Sequence, residues 1–271
     1  MNASHLHRWL TAAAAVPALF ILIYLGSEPL FAALIGVVIF LASWEYEKII
    51  SLPQKTRHRW EFLFSGLVIA LFVYLRNIEY VYVCTGLLII ILMLCDLFRI
   101  RKHGQRPDIG LLAKYVLGLL YIPVFMSYFI LIRGFEAGAT WVIFILVLAF
   151  SGDAAAFYAG RSFGKTKLLP AVSPNKTVEG VIGLVAGSLV ASVIFRQIFF
   201  PDLPLVHILC IAFWGSIIGQ LGDLFESEIK RSAGVKDSGN ILPGHGGILD
   251  RVDCLLFIGP FVYYYVAYIV N

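Results

Sequence analysis

The chain has 271 residues, 60% of them hydrophobic and 14% charged, with a mean hydropathy of +0.86 and a formal net charge of +4. Soluble domains are about 45–50% apolar and about 25% charged, so a soluble globular class is excluded. Apolar runs near 20 residues recur along the whole length, each long enough to cross a hydrocarbon core about 30 Å thick, which makes this a polytopic membrane protein.

Nine helices are predicted, at roughly 8–25, 29–47, 61–76, 78–98, 112–132, 139–159, 180–199, 205–226 and 252–270. Helices must dominate, because an unpaired backbone amide is too costly in lipid. A closed barrel would instead show ten-residue alternation, which these solid runs lack. The first run follows His5, His7 and Arg8 and has the look of a signal peptide. No small-residue cleavage site follows it, so an uncleaved first helix is expected. The four cysteines, Cys84, Cys95, Cys210 and Cys254, stand singly in or beside apolar runs without zinc-type spacing, and read as small core hydrophobes.

The basic residues segregate on this map. Of the 21 Lys and Arg, the loops on one side hold all but Arg76, Arg133 and Arg196. The positive-inside rule then places the N-terminus in the cytoplasm and, with nine spans, the C-terminus outside. The expected organisation is an N-terminal region of about five helices, 1–138, and a catalytic region of about four, 139–271. The latter carries cytoplasmic loops 161–179 and 227–251. "KIISLPQKTRHRW" and "RIRKHGQRPDIG" read as solvated connectors that carry the topology signal.

Chemistry concentrates in three places. In "QLGDLFESEIKR", a helix continuing past the membrane edge puts Asp223, Glu226, Ser227 and Lys230 on one face. Charges often fringe a helix end, but Asp223 lies inside the apolar run, just after Gly219 and Gly222, where a carboxylate needs a partner or a wet cavity. Asp153, in "FSGDAAAFYAG", is a second acid of this kind and is expected to face the same cavity, whereas Asp96 reads as solvated near its helix end.

In "PGHGGILDRVD", Asp250 and Asp253 stand one turn apart where the last helix begins. Capping explains one acid; it explains neither His245 nor Gly244, Gly246 and Gly247, which free the backbone to turn amides toward an anion. Two carboxylates beside such a loop are a ligand set for Mg²⁺ bridging to phosphate. Third, "GRSFGKTKLLPAVSPNKTVEG" offers Arg161, Lys165, Lys167 and Lys176 beside glycines, as an anion-binding loop would. Its Ser173-Pro174 reads as a helix start with Ser as cap. It is not a Walker A loop. Divalent-metal carboxylates, phosphate-binding cations and a glycine turn at one membrane face are the inventory of phosphoryl or nucleotidyl transfer, and the location suggests a lipid substrate.

The segment "SEIKRSAGVKDSGNILPGHGGILDRVD", 227–253, resembles the signature of the phosphatidate cytidylyltransferases, or CDP-diacylglycerol synthases. That signature runs Ser-x-apolar-Lys-Arg, four residues, Lys-Asp, then His-Gly-Gly-x-x-Asp-Arg-x-Asp, and every position is met. "GRSFGKTKL" with "SPNKTVEG" is similar to the family's other cytoplasmic loop. The likeness is specific over about 150–253, and the first five spans share only hydrophobicity.

The resemblance implies an integral enzyme of a bacterial inner membrane that joins CTP and phosphatidic acid into CDP-diacylglycerol and pyrophosphate on the cytoplasmic side. It implies Mg²⁺, with a second metal cation left open, and no nucleic-acid partner; a homodimer is an open alternative. Asp223 and Asp250 match the metal carboxylates, with Asp253 a third candidate. Lys230, Arg231, Lys236, His245 and Arg251 fall on motif positions suited to triphosphate or lipid phosphate. Lys165, Lys167, Ser173, Lys176, Gly246 and Gly247 complete the expected substrate-binding set. Two other readings use similar parts: a CTP-dependent lipid kinase, whose product would carry no cytidine, and a transporter with an acidic ion site at Asp153 and Asp223, which would leave CTP intact and for which no internal repeat is evident.

Overall fold

The computed structural model describes residues 17–52, 59–104, 106–241 and 246–270, with Ile78 and His103 described by their backbone only. The start of the first expected helix (8–16) and the motif residues Gly244 and His245 lie outside this set. Among the described residues, helices account for nearly all regular structure, and seven are long and apolar enough to cross a membrane. The protein is therefore an all-α polytopic membrane protein apart from one short hairpin. The chain forms two compact units, Met1–Leu131 with Ala233–Asp250, and Ile132–Ser232 with Arg251–Asn271.

The first unit contains α1 (residues 17–25), α2 (Glu28–Ser51), α3 (Trp60–Tyr74), α4 (Ile78–His103), α5 (Ile109–Leu119) and most of α6 (Phe125–Arg133). The span predicted over 112–132 is α5 and α6 joined through a π turn, Leu120–Val124, that contains Pro123. Proline has no N–H for the i→i−4 ladder, and the wider turn absorbs the defect without ending the helix. Helix α4 has a mean hydropathy of 2.5 over its most apolar window, of which only 6% is buried, so most of that stretch lies outside the packed interior, as a helix facing lipid requires.

At the polar end of this unit, Arg59 is 3% exposed. It pairs with Asp96 at 2.8 Å, and its guanidinium lies 4.3 Å from the Tyr115 ring centroid. Tyr115 donates to Glu47 Oε1 at 3.3 Å, and Arg99 pairs with Glu61. Asp96 is thus a partner in a desolvated ion pair and not the solvated helix-end acid expected from its position. Its distance from the helix terminus gave no sign of Arg59, 37 residues earlier.

The second unit contains α7 (Gly138–Phe163), strands β1 (Lys167–Leu169) and β2 (Ser173–Thr177), α8 (Val178–Phe199), α9 (Leu205–Ser232) and α10 (Leu249–Tyr265), the last running from the preceding unit into a terminal π turn. The two strands pair antiparallel, Lys167 opposite Thr177 and Leu169 opposite Ser173. All four cysteines are free thiols.

Helices α7 and α8 pack closely because small residues oppose one another. A Cβ on Gly183 would overlap Ala159, and one on Gly187 would overlap Ala155 while sitting 3.1 Å from the Ser151 carbonyl oxygen. Small residues that admit backbone contact are the main means of association where lipid is as apolar as the side chains. Replacing Gly187 by Ile should therefore lower the melting temperature of the detergent-solubilised protein, the cost of overpacking being about 1–3 kcal/mol. Gly86→Ala, at a site with nothing within 4 Å of the added carbon, should leave it nearly unchanged.

Candidate active site

In the second unit an open cleft of about 730 Å³ is lined by Asp153, Arg161, Ser173, Asn175, Lys176, Gln220 and Asp223, among others. Each element delivers its residues for a local reason. Helix α7 carries Asp153 next to the alanines that press against α8, so one face of this segment packs while the acid opens onto the cleft. Helix α9 continues unbroken to Ser232, so the predicted stripe forms. The Ser227 hydroxyl lies 3.4 Å from Asp223 Oδ1, and Lys230 pairs with Glu226, which is fully buried. Asp223 itself is 32% exposed and forms an ion pair with Lys176 of β2.

Besides its strand pairing, the hairpin that brings Lys176 to the cleft is held by side-chain contacts. The Thr177 side chain accepts the Gly180 amide at 3.1 Å and so caps α8. The Glu179 carboxylate accepts the amides of Lys165 and Thr166 at 3.1 Å. Arg231 Nε donates to the Val172 carbonyl at 3.1 Å, tying the turn to the end of α9. Ser173-Pro174 is consequently strand and not the helix start its composition suggests. Proline's fixed φ suits an edge strand as well as a first helical turn, proline also disfavours helical geometry at the residue before it, and Thr177 provides the cap instead.

Asp253, on α10, is within electrostatic reach of Asp223 and Asp153, and its own Oδ1 accepts the Cys254 amide. Arg251 is exposed and within electrostatic reach of Asp153. Lys165 and Lys167 are exposed on the first limb of the hairpin.

The glycine-rich signature belongs to the first unit. Here the Asp250 carboxylate accepts the Ser238 amide at 3.0 Å and the Gly247 amide at 3.0 Å, closing the loop upon the first turn of α10. The Asp250 amide in turn donates to Ser238 Oγ at 3.4 Å. Gly246 has φ +82°, a left-handed conformation that favours glycine. Lys236 is exposed at the start of this loop.

The structure thus brings Asp223, Lys176 and Ser173 to one cleft with Asp153, and brings Asp250 together with Gly247 and the loop amides. Asn175 and Gln220 line the cleft and were missed, because an uncharged amide in a loop or helix gives no sequence signal of its own. Glu45 was also missed. It is an acid buried in the apolar α2, and the rule that singled out Asp153 and Asp223 applies to it equally.

Among the described residues, no group of three or more His, Cys, Asp and Glu forms a ready metal shell. The donors nevertheless suit Mg²⁺: Asp153 and Asp223 present hard oxygens to one cleft, and this ion ordinarily takes one or two carboxylates and completes its shell with substrate phosphate and water. Cations beside them, Lys176 and Arg161, are placed to meet a polyanion.

The sequence model described as the cytidylyltransferase family matches residues 6–269. A phosphatidate cytidylyltransferase of Thermotoga maritima is 32% identical over 262 residues, 94% of each chain. One of Bacillus subtilis is 42% identical over 183 residues, 67% of each chain. One of Staphylococcus haemolyticus is 42% identical over 150 residues, 55% of this chain and 56% of that one.

Loss of the hairpin's anchors should be readable by proteolysis. Glu179→Ala and Thr177→Val should each speed tryptic cleavage after Lys165 and Lys167 by about fivefold in detergent-solubilised protein, as expected for removing hydrogen bonds worth about 1 kcal/mol.

Proposed function

This chain belongs to the cytidylyltransferase family, and we propose that it transfers the cytidylyl group of CTP to phosphatidic acid, giving CDP-diacylglycerol and pyrophosphate for phospholipid synthesis. The observation that supports this most is the cleft of the second unit, lined by both carboxylates and cations: Asp153, Asp223, Lys176 and Arg161. Joining two polyanions demands such a surface.

A phosphatidate phosphate oxygen attacks the α-phosphorus of CTP in line; one P–O bond forms, the bond to the β-phosphate breaks, and pyrophosphate departs with the electron pair. The nucleophile is already an anion, so no strong general base is needed. Lys176 and Arg161 offset the repulsion between the approaching phosphates, and Ser173 and Asn175 offer hydrogen bonds to their oxygens. On the signature segment, Lys230, Arg231, Lys236, His245 and Arg251 are assigned to triphosphate or lipid phosphate, with Lys165, Lys167, Gly246 and Gly247 as further phosphate contacts. Asp223, Asp250 and Asp253 are the assigned Mg²⁺ carboxylates, joined by Asp153 because it lines the same cleft as Asp223. When bound, that ion supplies Lewis-acid polarisation of the phosphates and charge neutralisation of the leaving group.

The reaction is assigned to the cytoplasmic face of a bacterial inner membrane, with nine spans, the N-terminus inside and the C-terminus outside. The segregation of basic residues supports this orientation. Reporter fusions at the C-terminus should accordingly be active only when the reporter works outside the cytoplasm.

Purified protein given CTP, phosphatidic acid and Mg²⁺ should yield a lipid carrying cytidine by mass analysis. A product gaining a single phosphate would favour a lipid kinase, and unchanged CTP a transporter. Chelation should abolish turnover and Mg²⁺ restore it. Asp223→Asn and Asp250→Asn should each reduce turnover at least about a hundredfold, the scale of losing a charge stabiliser of the transition state. Full activity in both variants would refute the assignment.

A further inference from the structure

Glu45 lies in "LASWEYEKII" of α2, about 200 residues before the signature loop, and is 1% exposed. Its Oε2 accepts two hydrogen bonds from that loop, the Leu249 amide at 2.8 Å and the Ser238 hydroxyl at 3.1 Å. Ser238 is also the residue whose amide and Oγ engage Asp250. One buried carboxylate therefore holds both ends of the segment, residue 238 on its entering limb and residue 249 at the start of α10.

The glycines of the loop are shaped around this contact. A Cβ on Gly247 would overlap Ser238 Oγ and crowd the Glu45 carboxylate, and one on Gly239 would overlap Glu45 Oε1. The second glycine of the His-Gly-Gly motif is thus required by space for Glu45, while the first is favoured by backbone conformation. Glu45 Oε1 has no hydrogen-bond partner among the described residues. A buried carboxylate in an apolar helix is costly, and its retention needs a reason.

We propose that Glu45 is a positioning residue for cytidylyl transfer, clasping the 236–250 loop through Ser238 and Leu249 and so fixing the placement of Asp250. This rests on the functional reading above, in which the loop serves the reaction. What the loop requires is an acceptor oxygen at the right reach. Glutamine supplies one at the Oε2 position and puts its amide nitrogen where Oε1 accepts nothing from the described residues; aspartate keeps the charge but is one methylene short.

The test uses full-length protein in mixed micelles, comparing Glu45→Gln, Glu45→Asp and wild type by CTP turnover and by backbone hydrogen exchange. Glu45→Asp should lower kcat at least about tenfold with KM for CTP within about threefold, and should raise exchange at the Ser238 and Leu249 amides by about tenfold, as loss of one or two buried hydrogen bonds and a displaced loop would. Glu45→Gln should stay within about threefold of wild type in all three. Gly247→Ala should reproduce the Asp variant, and combining the two should add little, because both break the same contact.

An active Asp variant with an inactive Gln variant would show that charge and not reach matters, and would overturn the proposal, as would lost turnover with unchanged loop exchange. Absence of turnover in wild type would overturn the reaction itself and the positioning role with it, whereas normal wild-type turnover beside a fully active Asp variant would overturn the positioning role alone.

Discussion

A carboxylate placed in a membrane-spanning helix costs about 2.5–3.5 kcal/mol on insertion scales unless it finds a partner or water. This constraint organises the polar chemistry of the protein. In the first unit two acids of α2 are turned inward: Glu45 takes two donors from the signature loop, and Glu47 takes the Tyr115 hydroxyl, whose ring lies against Arg59 of the Arg59–Asp96 pair. In the second unit, Asp223 reaches an open cleft and the ammonium of Lys176. Every one of these acids has a partner supplied by another element, so each also joins elements that the apolar packing would leave free to slide.

The hairpin between α7 and α8 shows how local bonds convert a basic loop into a shaped surface. Beyond the strand pairing it is anchored by the Thr177 cap, the Glu179 carboxylate on two successive amides, and Arg231 on the turn carbonyl. Arg231 is an instructive case. It sits in the signature as a cation suited to phosphate, and its guanidinium also serves backbone architecture through the Val172 carbonyl.

Much of the site was legible in the sequence because the relevant physics is local. Asp223, Glu226, Ser227 and Lys230 share a helical face by spacing alone, and α9 does run on to Ser232 so that they meet. Asp153 betrayed itself as a charge in an apolar run. The failures have a common cause. Asp96 was misread because Arg59 arrives from the residue preceding α3, distant in sequence; Ser173-Pro174 was misread because proline is compatible with both an edge strand and a helix start, and the choice was made by the pairing of β2 with β1. Glu45 is the further acid of an apolar helix that the sequence offered, and its donors, Ser238 and Leu249, come from about 200 residues away.

By itself the sequence determined the membrane class, the approximate helices and the segment carrying the chemistry, because hydropathy, 3.6-residue periodicity and a contiguous motif are properties of neighbouring residues. It could not determine which acids are spent on holding the fold and which remain open to a ligand. That division depends on donors brought from distant positions, as with Ser238 and Leu249 at Glu45 and Lys176 at Asp223, and only the packing of the helices decides where a buried charge finds its partner.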